Sequence, residues 1–251
     1  MPTYAISGAS KGLGLELCKQ LLARGDTVYA LVRTATETLQ ALACDKLTVV
    51  PGIDVAKDDV GDKVGAALEG VRVDVLVCNA GAYGSSSADG PMAMFATQNL
   101  ENVTMDVMRE AFELNTLGPL RLTKALLPMI PTNAGAKIVI TTSLLGSIGD
   151  NSGGGSYAYR TAKAGVNQVG KSLAIDLQEK GIAVRLIHPG MVATEFAGPD
   201  ASKIPEGMRR NMRGVEESVV GMLQAIDGLD MSATGTFVHA NYGEGVKPCP
   251  W

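Results

Sequence analysis

Tyr159 and Lys163 stand four residues apart in Tyr159-Arg160-Thr161-Ala162-Lys163, within a stretch whose pattern predicts a long helix, so phenol and ammonium share one helical face. A free tyrosine titrates at about pH 10, and a neighbouring cation that favours the phenolate would bring it nearer to neutral pH. A phenol so placed serves as general acid in one direction of a reaction and as general base in the other. Tyr157 is a rival phenol, but it lies six residues from Lys163 and therefore round the helix from it. It is assigned to the wall of a substrate pocket. The run Lys137 to Thr142 reads as a strand leading into Ser143, whose hydroxyl would emerge at the carboxyl end, the edge where open α/β sheets bind ligands. Leu145, just beyond, is placed in the same pocket.

A second constellation lies near the amino terminus. Ser7-Gly8-Ala9-Ser10-Lys11-Gly12-Leu13-Gly14 joins the first strand-like run to the first helix-like one. Glycines let the backbone turn tightly and approach a pyrophosphate, while free N–H groups and the positive end of the helix face it. Gly8, Ser10, Lys11, Gly12, Leu13 and Gly14 are accordingly expected to bind a dinucleotide. Sites that prefer NAD place an acidic side chain about 20 residues beyond the glycines to hold the ribose hydroxyls. Here the second strand ends Ala30-Leu31-Val32-Arg33-Thr34 with no acid at its tip. Arg33, with its planar multi-donor fork, suits a 2′-phosphate, and Lys11 is a second cation for it. NADP(H) is the expected cofactor.

Short apolar or β-branched runs alternate with longer amphipathic ones, and this alternation supplies the framework for both constellations. Strands are predicted near 3–7, 27–32, 47–51, 73–78, 137–142, 183–188 and 236–238, and helices near 12–24, 36–43, 56–68, 104–128, 157–179 and 215–228. The order predicts one α/β domain over 1–251, a three-layer, doubly wound, mostly parallel sheet of about seven strands. Three irregular stretches, 82–103, 144–156 and 191–212, are candidate substrate loops. The last carries Met191, Val192, Phe196 and Met208 and suits a lid over an apolar substrate; Met191 and Phe196 are placed in the pocket.

Composition excludes several classes. A hydrophobic fraction of 46% with 19% charged residues is that of an ordinary globular core. A net charge of -4 gives no global attraction to nucleic acid or anionic lipid. Cys18, Cys44, Cys78 and Cys249 are scattered without ligand spacing, which predicts reduced thiols and no metal site. No apolar run approaches the roughly 20 residues of a membrane span. The first strand begins at once, leaving no space for a secretory signal, so a cytoplasmic protein is expected.

The glycine spacing, G-x-x-x-G-x-G, together with four later motifs, resembles the short-chain dehydrogenase/reductase family. Asp54-Val55 after the third strand, Cys78-Asn79-Ala80-Gly81 after the fourth, Asn115 in Glu113-Leu114-Asn115-Thr116, and His188-Pro189-Gly190-Met191-Val192-Ala193-Thr194 after the sixth occur in the family's order. Cys78 stands where the family has Asn, a buried position of little functional consequence. The resemblance implies a Rossmann fold in which Asp54 and Val55 meet the adenine, and Asn79, Ala80, Gly81, Pro189, Gly190, Val192 and Thr194 meet the cofactor, Thr194 at the nicotinamide carboxamide. It further implies that Ser143 polarises a substrate carbonyl, that Lys163 also binds the nicotinamide ribose, and that Asn115 holds a water in the proton relay from Lys163. A weaker similarity to C-factor and sniffer-type carbonyl reductases implies a ketone, aldehyde or quinone as the small-molecule substrate. A catalytically silent NADP(H)-binding regulator is the alternative. A homodimer or homotetramer through the helices near 104–128 and 157–179 is expected, with a monomer as the other possibility.

Overall fold

The computed structural model describes residues 1–85, 90–194, 204, 206–241 and 245–251, without the side chains of 208, 209 and 241. Its sheet draws on the whole chain: β1 (Thr3–Ser7), β2 (Thr27–Leu31), β3 (Leu47–Val50), β4 (Val75–Cys78), β5 (Lys137–Thr141), β6 (Ala183–His188), β7 (Thr236–Asn241) and β8 (Gly245–Pro248). The strand order is β3-β2-β1-β4-β5-β6-β7-β8. All pairings are parallel except β7 with β8, an antiparallel edge that the alternation pattern did not predict. Strand order reverses at β1, which pairs with β2 on one side and β4 on the other, so a crevice opens beyond the carboxyl ends of β1 and β4.

Helices cover both faces, as parallel strands apolar on both sides require. Alternate residues of a strand point to opposite faces. Ile6, Val77 and Val139 pack under α1 (Gly12–Arg24) and α9 (Val215–Asp227), whose Leu17, Leu21, Met222 and Ile226 are fully buried. Ala5, Leu76, Ile138 and Val184 face the other layer, where α3 (Val60–Ala67), α6 (Gly118–Leu126) and α7 (Tyr157–Asp176) bury Val64, Leu122 and Val166. A four-residue helix, α2 (Glu37–Gln40), follows β2.

Two predicted elements differ from the observed ones. The stretch 82–103 is not irregular throughout: α4 (Pro91–Thr97) forms there, with Pro91 in its first turn, where a missing N–H costs nothing. The long helix expected over 104–128 is divided. After α5 (Met105–Phe112) comes one π-turn, Glu113–Leu117, before α6. Pro119 cannot supply a helical N–H and its ring crowds the carbonyl four residues back, at Asn115. A further short helix, α8 (Glu206–Arg209), precedes α9.

Candidate active site

The groups singled out in the sequence converge on the carboxyl edge of the sheet. Ser143 follows β5, Asn79 follows β4, Pro189 follows β6, and the glycine loop follows β1. At the glycine loop, Lys11 is the N-cap of α1 in extended conformation and makes no side-chain cap, so the first-turn amides face the crevice. A Cβ on Gly14 would stand 2.2 Å from the Gly8 carbonyl oxygen and 2.8 Å from Asn79 Nδ2; only glycine lets loop, helix and β4 close this tightly. Thr194 lies beside the loop, 3.6 Å from where a Cβ of Gly12 would be. Thr36 Oγ1 donates to Ser10 O at 2.8 Å, tying the loop to the segment after β2. The side chains of Lys11 and Arg33 are exposed on this edge. This cradle fits the diphosphate of a dinucleotide.

Several predicted cofactor contacts also brace the cradle. Ser7 Oγ accepts from the N–H groups of Asn79 and Ala80 at 3.0 and 3.1 Å, and Asn79 Nδ2 donates to Ser7 O and Gly8 O at 3.3 and 3.4 Å. Val55 is buried, and a Cβ on Gly118 would meet it at 2.9 Å. Asp54 Oδ1 accepts from Ala56 N at 3.1 Å, shaping the turn. Pro189 O accepts from the buried Ser218 hydroxyl at 2.7 Å. Beyond Gly190, Val192 bridges to Arg213, with Ala193 N donating to Arg213 O at 2.9 Å and Arg213 N to Met191 O at 2.8 Å.

Tyr159, Ser143, Lys163 and Asn115 are all buried. The Ser143 hydroxyl lies near enough to the Tyr159 phenol to favour its ionised form, and it accepts from Leu145 N at 3.2 Å. Lys163 Nζ donates to Thr141 O at 3.0 Å and lies 5.7 Å from the centre of the Tyr159 ring. A Cβ on Gly146 would stand 2.7 Å from the Lys163 carbonyl carbon, so the turn after Ser143 rests directly on α7. Asn115, in the π-turn, donates from Nδ2 to Ala82 O and Ala111 O, both at 2.9 Å, and accepts from Ala82 N at 3.3 Å. It thereby pins the loop after β4.

The electrostatics correct one expectation. Burial raises the Tyr159 phenol well above its ordinary value, Tyr83 adding to the rise and the nearby Ser143 hydroxyl opposing it. Burial pushes the Lys163 ammonium down to about 8. The lysine does not bring the phenol down here, because desolvation dominates and the ammonium is turned to the Thr141 carbonyl. Burial also pushes the Cys78 thiol up to about 12, as its predicted inert role requires. His188, stacked on His239 with ring centres 4.7 Å apart, is pushed down to about 3 by burial, and so is a neutral strand-end residue.

Of the expected pocket residues, Leu145 is half-buried beside Ser143, while Tyr157 and Met191 are 37% and 45% exposed; Phe196 lies outside the described residues. Two groups were missed. Tyr83 packs edge-on against Tyr159, ring centres 4.7 Å apart at 66°, and Gln98, fully buried, accepts from Tyr159 N at 2.9 Å. Cavities of about 600 and 580 Å³ lie at the opposite, amino edge. Their charges pair among themselves, Arg24 with Asp26 and Asp227 at 2.6 and 2.8 Å. Among the described residues no group of three metal-ligating side chains occurs, and no helix is long and apolar enough to cross a membrane.

A doubly wound sheet with a glycine cradle and a Ser-Tyr-Lys-Asn cluster at its carboxyl edge defines a class, and the chain belongs to it: the profile of the short chain dehydrogenase family matches residues 3–204. A 1-hydroxy-2-glutathionyl-2-methyl-3-butene dehydrogenase of a Rhodococcus species is 34% identical over 96% of this chain and 97% of its own length. Among solved structures, the carbonyl reductase Sniffer of D. melanogaster superimposes with a TM-score of 0.82 at 30% identity, covering 100% of both chains. The NADPH-bound carbonyl reductase from chicken fatty liver does so with a TM-score of 0.81 at 27% identity, covering 100% of this chain and 99% of its own.

Proposed function

We propose that this chain is an NADP(H)-dependent oxidoreductase that interconverts a carbonyl compound and its alcohol, a ketone, aldehyde or quinone being the substrate. The observation that carries this reading is the burial of Ser143, Tyr159 and Lys163 together, with the Lys163 ammonium 5.7 Å from the centre of the Tyr159 ring, at the edge that also presents the glycine cradle. When bound, NADP(H) supplies or takes up the hydride. Gly8 to Gly14 hold its diphosphate on the amino end of α1, Arg33 and Lys11 its 2′-phosphate, Asp54 and Val55 its adenine. Asn79, Ala80, Gly81, Pro189, Gly190, Val192 and Thr194 line the way to the nicotinamide.

Ser143 donates to the substrate oxygen and holds it against Tyr159. In reduction Tyr159 gives its phenolic proton to the developing alkoxide; in oxidation it removes the proton from the alcohol. A phenol raised by burial is a reluctant base, and the positive charge of Lys163, 5.7 Å from the centre of the ring, would offset that reluctance; the same ammonium would hold the nicotinamide ribose. Asn115 places a water on the path by which Lys163 regains its proton. The binding of NADPH by the chicken enzyme and the carbonyl reduction named for two structural neighbours support cofactor and reaction. The chain is assigned to the cytoplasm as a single domain.

The cofactor assignment is tested by titrating the protein with NADPH and NADH while following nicotinamide fluorescence. NADPH is expected to bind at least about tenfold more tightly, about 1.4 kcal/mol, with Arg33→Ala removing most of that preference. Equal affinity for the two nucleotides contradicts the assignment.

A further inference from the structure

Helix α7 carries the acid/base pair, yet it does not cap itself. Ser156, before it, lies in the left-handed region at φ 49° and ψ 37°, and its buried hydroxyl bonds to no described residue. A helix start normally takes its cap from that residue's own side chain. Here the cap comes from far upstream: Gln98 O accepts from Tyr157 N at 3.0 Å, and Gln98 Oε1 accepts from Tyr159 N at 2.9 Å, a separation in sequence of 61 for the second bond. The other end of the same carboxamide donates from Nε2 to Tyr83 O at 2.6 Å. The two partners fix which end is oxygen and which is nitrogen, since an N–H and a C=O must each be answered.

Gln98 is held for this task. It follows α4 directly, with its own N–H on Met94 O at 2.9 Å, and is fully buried. The turn beyond it is closed by Asn99 and Asn102, whose side chains both donate to Ala96 O at 3.0 Å. Thus one side chain joins three things: the start of the catalytic helix, the substrate loop, and the ring of Tyr83 against the ring of Tyr159.

We propose that Gln98 is the positioning residue of Tyr159, and that through Tyr83 it holds the aromatic wall against which the phenol is set. This rests on the reading of Tyr159 as acid/base. Fixing the amide of Tyr159 and the backbone of Tyr83, whose ring packs edge-on beside it, confines the phenolic oxygen to its place near Ser143; a displacement of about 1 Å costs on the order of a hundredfold in rate.

Three variants test it: Gln98→Met, Gln98→Glu and Tyr159→Phe. Each is studied by NADPH fluorescence titration, by reduction of 4-nitrobenzaldehyde across pH 5.5–9, and by amide hydrogen exchange of the ligand-free protein. Gln98→Met is expected to bind NADPH as the wild type does, to lose about ten- to a hundredfold in kcat with KM within about threefold, and to speed exchange at residues 157–160 while later turns of α7 stay protected. Gln98→Glu is sharper. Protonated, its carboxyl accepts from Tyr159 N and donates to Tyr83 O as the amide does, so kcat is restored at low pH; ionised, it repels Tyr83 O, and kcat falls through an ionisation that the wild type lacks. A pH profile parallel to the wild type's in Gln98→Glu, or unchanged kcat and exchange in Gln98→Met, overturns the proposal while a silent Tyr159→Phe leaves the functional reading intact. Full turnover by Tyr159→Phe would overturn both. If Gln98→Met does not fold, the Gln98→Glu profile decides alone.

Discussion

At Tyr159 burial works against the chemistry, since the same apolar surroundings that exclude water raise the phenol and lower Lys163. Lys163 titrates at about 8 in the folded chain against 10.5 for a free side chain. Between those values the unfolded chain holds more protons, so stability rises with pH in that window, and the full cost of burying the ammonium is present below it. Urea denaturation between pH 7 and 9.5 is expected to show the wild type gaining on Lys163→Met by up to about 1.4 kcal/mol per pH unit once pH passes 8. Working below pH 10 keeps Tyr159, whose raised value acts with the opposite sign above 10, out of the slope. Parallel curves for the two proteins would contradict a depressed Lys163. The residues proposed to do the chemistry could be singled out in the sequence because their types and order are distinctive. Gln98 and Tyr83 could not, because an amide that caps a helix 61 positions away leaves no periodic trace.

At the scale of elements, the π-turn carries Asn115, whose side chain it sets between two elements. Asn115 commits Nδ2 to Ala82 O and Ala111 O and Oδ1 to Ala82 N, which joins α5 to the loop after β4. Asn115→Ala leaves the buried Ala111 carbonyl and the half-buried Ala82 groups without these bonds and is expected to destabilise the fold by about 1–3 kcal/mol, read as a lower urea midpoint at constant slope. An unchanged midpoint would mean that water replaces the side chain there. Helix propensity over 104–128 hid this break, since only Pro119 hints at it and a proline near a helix start is otherwise unremarkable. The helix at Pro91–Thr97 was hidden by the glycines and serines before it, which made the whole stretch read as irregular. Edge strand β8 is exposed and short, with no apolar alternation to read.

For the molecule as a whole, the alternation of strands and helices dictates parallel pairing and right-handed crossovers, and hence the side on which Gly8, Asn79, Ser143 and Pro189 meet. That much was legible in the residues alone, because topology depends on element order and not on exact boundaries. Assembly depends on surface instead. Helix α5 exposes Met105 and Phe112, 58% and 42% open, which is consistent with the expected homodimer or homotetramer through α5, α6 and α7. Sedimentation at micromolar concentration is expected to show a species at least twice the 26.1 kDa of the chain; a single 26.1 kDa species would make it a monomer.

Proton transfer in the proposed reaction depends on the Tyr159 hydroxyl, and Tyr159→Phe removes it while keeping the ring that packs on Tyr83. The variant is predicted to bind NADPH within about threefold of the wild type and to lose at least about a hundredfold in carbonyl reduction. Turnover at the wild-type rate with NADPH bound would contradict the assignment of Tyr159 as the proton donor, and with it the mechanism proposed for this chain.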